Sequence, residues 1–205
     1  MSSSSRSIPN VIPPGIRSVL LPGAGLSVAQ FLEFPLPNIS PNSVTNTVNI
    51  TDYLSDNSPD QHLDPKLLQD LPLPSRSVLE KIHEDLADLC EKKSCSVQYA
   101  HLPPGSRLTK LPVWVFAYWV EAFLLRRYVR EPWKKAEDWL RSQRNRFRVG
   151  LKRNLCDRAS LALLTLPWAG HVYGFSDDAP TTKLATYLSQ RWLSTVHVDQ
   201  QFDFI

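Results

Sequence analysis

The sequence predicts a mainly α fold: a small helical bundle around a central apolar helix, preceded by a disordered Pro/Ser-rich N-terminal arm. Three observations predict it. The stretch 111–130, LPVWVFAYWVEAFLLRRYVR, is apolar on every side for its first four turns and then becomes abruptly basic. A helix apolar all round must be enclosed by partners or by lipid. Apolar residues recur at helical spacing on both sides of that stretch. Finally, 11 of the 17 prolines precede Ser75.

Residues 1–74 mix Ser, Pro, Asn and Asp with scattered apolar residues and show no sustained period. Such a segment buries too little apolar surface to offset its ordering entropy, so it is expected to be a disordered arm. Within it, VTNTVNITDYLSDNSPD (44–60) alternates Val48 and Ile50 ahead of Asp52, Asp56 and Asp60. Two readings stay open there: a solvated linker, or a strand that adds to the edge of a ubiquitin-like sheet.

The region 75–166 should be helical. Ser77 and Glu80 have capping-box spacing. Leu79, Ile82, Leu86, Leu89 and Cys90 form an apolar stripe, and Lys92 and Lys93 suit the negative C-terminal end. Pro103, Pro104 and Gly105 signal a loop. Pro112 can open the central helix, and Pro132 should close it by pushing Glu131 out of the α region. From Leu111 to Leu125 the run covers 15 positions, short of the ~20 that a bilayer requires, and Glu121 interrupts it. A core helix is therefore expected, with no membrane partner.

A third helix is predicted from Pro132, with Trp133, Ala136, Trp139 and Leu140 as its apolar stripe, and another over 156–166, ending before Pro167. In 167–205, WAGHVYGFSDDAP (168–180) reads as a short strand or extended segment followed by a turn. Thr181 or Thr182 can cap a short helix through Leu184 and Leu188. A last helix begins near Ser194 and still runs at Ile205, which reads as a truncated frame.

Net charge is +3, but residues 1–100 carry 7 Lys/Arg against 11 Asp/Glu, while 101–205 carry 16 against 9. An acidic arm and a basic body suggest self-masking or an acidic partner. An odd 3 cysteines, with no secretory leader in MSSSSRSIPN, point to a reducing intracellular compartment, nuclear or cytoplasmic.

The candidate chemistry is sparse. His83, Cys90, Cys95 and His101 are zinc-ligand types, but their spacing misses the usual zinc patterns. Cys156, Asp157 and His171 are the residue types of a cysteine-nucleophile triad, yet no local signature surrounds the cysteine. Neither set is assigned a metal or a catalytic role, and no cofactor is implied: no phosphate-cradling glycine pattern occurs. The strongest charge feature is 126–158, with 12 Lys/Arg against 4 Asp/Glu. Arg126, Arg127, Arg130, Lys134, Lys135, Arg141, Arg144, Arg146, Arg148, Lys152 and Arg153 are its candidate nucleic-acid contacts. Trp133, Trp139 and Phe147 are interleaved with them for base stacking. The competing reading is a solvated helical face whose tryptophans turn inward.

Two blocks resemble a known family. LPVWVFAYWVEAFLLRRYVREPWKKAEDWL resembles a helical region upstream of protease domains in fungal proteins carried by large DNA transposons. TTKLATYLSQRWLSTVHVDQQFDFI resembles the opening of the SUMO-specific (ubiquitin-like-protein) cysteine protease domain. Leu184, Leu188, Trp192, Leu193, Val196 and Val198 fit that opening helix, while Ser194 and Thr195 stand where the family usually has Asn-Asp. The resemblance implies an accessory helical region and the start of a peptidase domain, truncated before the family's catalytic His, Asp and Cys. It also implies a ubiquitin-like modifier or its conjugate as partner, with Trp192 lining the tunnel for the substrate's diglycine tail. The expected function is thus a non-catalytic N-terminal region that positions a cysteine peptidase. The alternative is a nucleic-acid-binding helical module using 126–158.

Overall fold

A computed structural model describes residues 11–41, 50–59, 63–91, 95–98, 110–147, 149–172 and 179–188. They are mainly helical. In chain order the α-helices are α1 (Pro14–Leu20), α2 (Val28–Glu33), α3 (Pro65–Asp70), α4 (Arg76–Glu91), α5 (Val115–Leu124), α6 (Glu131–Arg146), α7 (Leu151–Thr165) and α8 (Leu184–Tyr187). A π-helical turn, Leu125–Arg130, precedes α6. The strands are β1 (Leu54–Ser55), β2 (Ser96–Val97), β3 (Leu111–Pro112), β4 (His171–Val172) and β5 (Ala179–Pro180). No helix among the described residues is long and apolar enough to cross a membrane.

The chain divides into two units: Met1–Leu21 with Pro35–Leu124, and Pro22–Phe34 with Leu125–Ile205. In the first unit α5 is the interior element, as its composition requires. Val115 through Val120, with Ala122 and Phe123, are buried. Helix α4 packs against it through the stripe Val78, Leu79, Ile82, Leu86 and Leu89. Its opposite face holds the exposed pairs Arg76–Glu80 and Lys81 with Glu84 and Asp85. The expected capping box is not what starts α4. The helix begins at Arg76, the Leu79 N–H donates to the Ser75 carbonyl, and Glu80 pairs with Arg76 instead. The helix therefore starts two residues before the position that a Ser77 cap implies.

Three short helices, α1, α2 and α3, lie within the stretch expected as a disordered arm. Helix α1 carries Pro14 in its first turn, and α3 is capped by Asp64, whose carboxylate accepts the Lys66 N–H at 3.0 Å. Each is too short to hold alone in water. They pack on one another, bury Leu20 and Leu68, and are tied by the Gln69 amide donating to the Val19 carbonyl at 2.7 Å. Residues 1–10 and 42–49, including Val48, lie outside the described residues. Ile50 sits in a 3-10 turn, Ile50–Tyr53, and is buried, so it belongs to neither an exposed linker nor a strand. The strand that follows, β1, is paired within this unit in the antiparallel order β1-β2-β3, with Leu54 opposite Val97 and Val97 opposite Leu111.

Tyr118 on α5 is buried, and its hydroxyl donates to the Leu68 carbonyl at 3.4 Å. Burial pushes its pKa well above the usual tyrosine value, because the phenolate would lose its hydration. The neutral phenol thus adds stability that is fully present below the unfolded-state pKa of about 10 and is lost as pH rises through the folded value. In absorbance titration at 295 nm, one tyrosine should ionise only together with alkaline unfolding. Tyr118→Phe should remove that late step and flatten the loss of stability above pH ~10. A Tyr118 that titrates with the others while the fold persists would contradict its burial.

In the second unit α6 packs against α7, α8 and α2, burying Trp133, Ala136 and Leu140. The expected stripe thus holds, with Trp139 only half-buried. The expected stop before Pro132 does not. Arg130 has αR dihedrals (φ −66°, ψ −43°), and Pro132 lies in the first turn of α6. The π turn explains this: its wider register lets the backbone pass a residue that offers no N–H and whose ring crowds the preceding carbonyls. Gly150 has φ 99° and forms the N-cap of α7, a conformation that favours glycine. Helix α7 therefore starts at Leu151, five residues before the expected position.

Helix α2 has the capping box that the sequence reading missed. The Ser27 hydroxyl accepts the Gln30 N–H, and the Gln30 side chain accepts the Ser27 N–H at 2.9 Å. The loop after α7 is pinned to it. The Val28 N–H donates to the Leu166 carbonyl at 2.8 Å, and the Trp168 indole donates to the Gly23 carbonyl at 2.8 Å. The Trp168 ring stacks on Phe31 with centroids 4.5 Å apart. Strand β4 pairs antiparallel with β5; residues 173–178, where the expected turn falls, lie outside the described residues. Neither Thr181 nor Thr182 caps a helix through its side chain. The Thr181 hydroxyl instead lies within reach of the Pro167 and Gly170 carbonyls, at 3.1 and 3.0 Å. There the chain is so close that a Cβ on Gly170 would stand 2.9 Å from Pro167.

Candidate functional site

The basic stretch 126–158 occupies the π turn, α6 and the first half of α7, all in the second unit. Its four acids are all engaged on its own surface. Glu131 pairs with Lys135, Glu137 and Asp138 with Arg141, and Asp157 with Arg144 across the α6–α7 contact. Most of these are exposed pairs one helical turn apart, each contributing about 0.2–1 kcal/mol. They mark part of α6 as a solvated face, the competing reading of this segment.

The other cations differ in environment. Arg130 donates to the Leu32 carbonyl. Burial, and secondarily the charge of Arg126, lower its pKa, which places it in the frame of the unit rather than on an open surface. Arg126 and Arg153 are half-buried and engaged. The Lys152 ammonium lies over the Phe147 ring at 5.3 Å, so that ring is covered by a cation rather than open for a base. Lys134, Arg146 and Arg158 are exposed and have no acidic partner among the described residues. Arg158 belongs to this group although the sequence reading did not select it. Arg148 and Trp192 lie outside the described residues.

The aromatic half of the expectation is corrected. Trp133 is fully buried and cannot meet a base, because helical periodicity turns it inward with Ala136 and Leu140. Tyr128 is the aromatic residue that does face solvent, at 58 % exposure, with the Arg127 guanidinium 5.7 Å from its ring centre. Its position in the run RRYVR was the available signal. An exposed ring beside a guanidinium is a surface on which a base can stack.

The other two candidate sets come together no further. His83 is half-buried on α4 and Cys95 precedes β2. His101 lies outside the described residues. Among the described residues no group of three or more His, Cys, Asp or Glu is placed to hold a metal ion. Asp157, the acid of the possible triad, is held by Arg144 at 2.5 Å, while Cys156 is a half-buried free thiol. His171 lies in β4, in register with Pro180.

No known protein family, curated protein or solved structure matches this chain.

Proposed function

We propose that the chain is a non-catalytic helical region that positions a cysteine peptidase domain in a SUMO-protease-like protein. Its site of action would be nuclear or cytoplasmic, and its remote partner a ubiquitin-like modifier or its conjugate. The supporting observation is where the resembling LPVWV block lies. Leu111, Val113 and nearly all of α5 are buried, so the block shapes an interior rather than a substrate surface, as a positioning scaffold requires. The test is to read and express the frame past the codon for Ile205. A continuation bearing His, Asp and Cys segments should release a fluorophore from the C-terminus of a SUMO-type modifier. A stop codon directly after Ile205 would sink the proposal.

A second reading rests on a separate observation: the cations of 126–158 outnumber the carboxylates that engage them, and Lys134, Arg146 and Arg158 stay exposed without one. Under this reading the unit binds nucleic acid through phosphates, with Tyr128 as a stacking platform. Affinity for a labelled single-stranded oligonucleotide should then fall with salt, with a log–log slope of about −0.7 per phosphate neutralised, or about −2 for these cations alone. Substituting all three with Glu should abolish binding and leave the helical circular dichroism unchanged. Affinity that ignores salt, or no binding at low salt, rejects it.

A further inference from the structure

Helix α7 buries one face against α6 and α2 and leaves an apolar face in solvent. Leu151 is 75 % exposed, Leu155 51 % and Leu161 68 %, and Val149 just before the helix is 87 % exposed. Leu151, Leu155, Arg158 and Ala162 follow one another at helical spacing on the exposed side, with Leu161 beside them. Large aliphatic side chains clustered in this way mark a surface that another segment covers. Two exposed cations, Lys152 and Arg158, accompany the leucines.

We infer that this face is the docking surface for the chain's own segment 192–205, WLSTVHVDQQFDFI. Three features select that occupant. The first is composition: Trp192, Leu193, Val196, Val198, Phe202, Phe204 and Ile205 supply apolar area of the kind that the leucines of α7 lack as a neighbour. The second is charge. The segment carries Asp199 and Asp203 and no Lys or Arg, opposite in sign to Lys152 and Arg158. The third is reach. Thr181, in the turn that leads into α8, donates its N–H to the Gly170 carbonyl at 2.8 Å, just beyond the end of α7. Helix α8 packs on α6, as α7 does. Thr181, seven residues before the last described residue, is thus tied just beyond the C-terminal end of α7, and α7 is 15 residues long, or about 22 Å at 1.5 Å per residue. The seventeen residues 189–205 can extend to more than twice that length at ~3.3 Å each. This inference rests on neither functional reading, and it gives Arg158 and Trp192 a different role from the one each reading assigns them.

Hydrogen exchange on the full chain tests it, with light scattering alongside. The wild type should have the mass of a monomer. Leu155→Asp with Leu161→Asp should speed amide exchange within 192–205 about tenfold and leave α4 and α6 protected. Both leucines are already exposed, so the helix itself should survive. Asp199→Lys with Asp203→Lys should speed exchange likewise, and adding Lys152→Glu with Arg158→Glu should restore protection. Exchange in 192–205 that does not respond to the leucine substitutions overturns the inference. So does a wild-type dimer that those substitutions convert to monomer, because a second copy would then be the occupant.

Discussion

Trp133→Ala should lower the unfolding free energy of the second unit by about 3–5 kcal/mol, the cost of emptying a large, fully packed aromatic site. Trp133 has no exposed surface and stands with Ala136 and Leu140 at the inner face of α6, where three other helices meet it. The indole Nε1 adds a twist: it is buried and lacks a hydrogen-bond partner among the described residues. A buried donor left unpaired costs about 1–3 kcal/mol. Trp133→Phe keeps most of the apolar area and removes that donor, so it should cost less than half as much as the alanine variant. Urea unfolding followed by circular dichroism measures both. Equal destabilisation by Phe and Ala would mean that the N–H is satisfied after all.

The second large effect is expected at Arg17. Glu121 is the one acid in the apolar helix α5, and the structure supplies its partner from the region expected to be disordered. Arg17 Nη1 donates to Glu121 Oε2 at 2.9 Å, and Nη2 donates to Oε1 in the closer half of the same fork. Parallel guanidinium–carboxylate bonds of this kind are the strong, geometry-specific ones. Arg17→Ala leaves a carboxylate that is only 18 % exposed without its cation. Breaking a fully buried pair costs 3–5 kcal/mol. Arg17 is 40 % exposed, and solvent screens the pair, so about 1–3 kcal/mol is expected here. Arg17→Met combined with Glu121→Leu should recover most of the loss, since an apolar pair carries no desolvation cost. A double-mutant cycle by chemical denaturation reports the coupling, and strictly additive single effects would show that the fork contributes nothing.

Arg17 also shows why the sequence reading underestimated the N-terminal third. Helices α1, α2 and α3 are six or seven residues long, too short to display a period, and they bury only one or two side chains apiece. Their order comes from residues far away in the chain: Glu121 for α1, Tyr118 for α3, and Leu166 and Trp168 for the α2 region. A local composition rule sees the prolines and serines and none of these contacts. The basic segment was legible as charge, because lysine and arginine are visible in any window. Which of its cations serve carboxylates, a carbonyl or an aromatic ring was not, and neither was the solvent exposure of Tyr128.

By itself the sequence determined the helical class, the interior role of α5, the apolar stripes of α4 and α6, and the concentration of positive charge in 126–158. Each follows from periodicity or composition within one element, where side-chain direction repeats every 3.6 residues. Only the tertiary structure decided that α1–α3 are built from the presumed arm, that the backbone passes Pro132 through a π turn, and that α7 keeps a row of leucines in solvent. Those outcomes depend on which distant groups meet. A proline's break, an acid in an apolar helix or an exposed leucine takes its meaning from a neighbour that no local window contains.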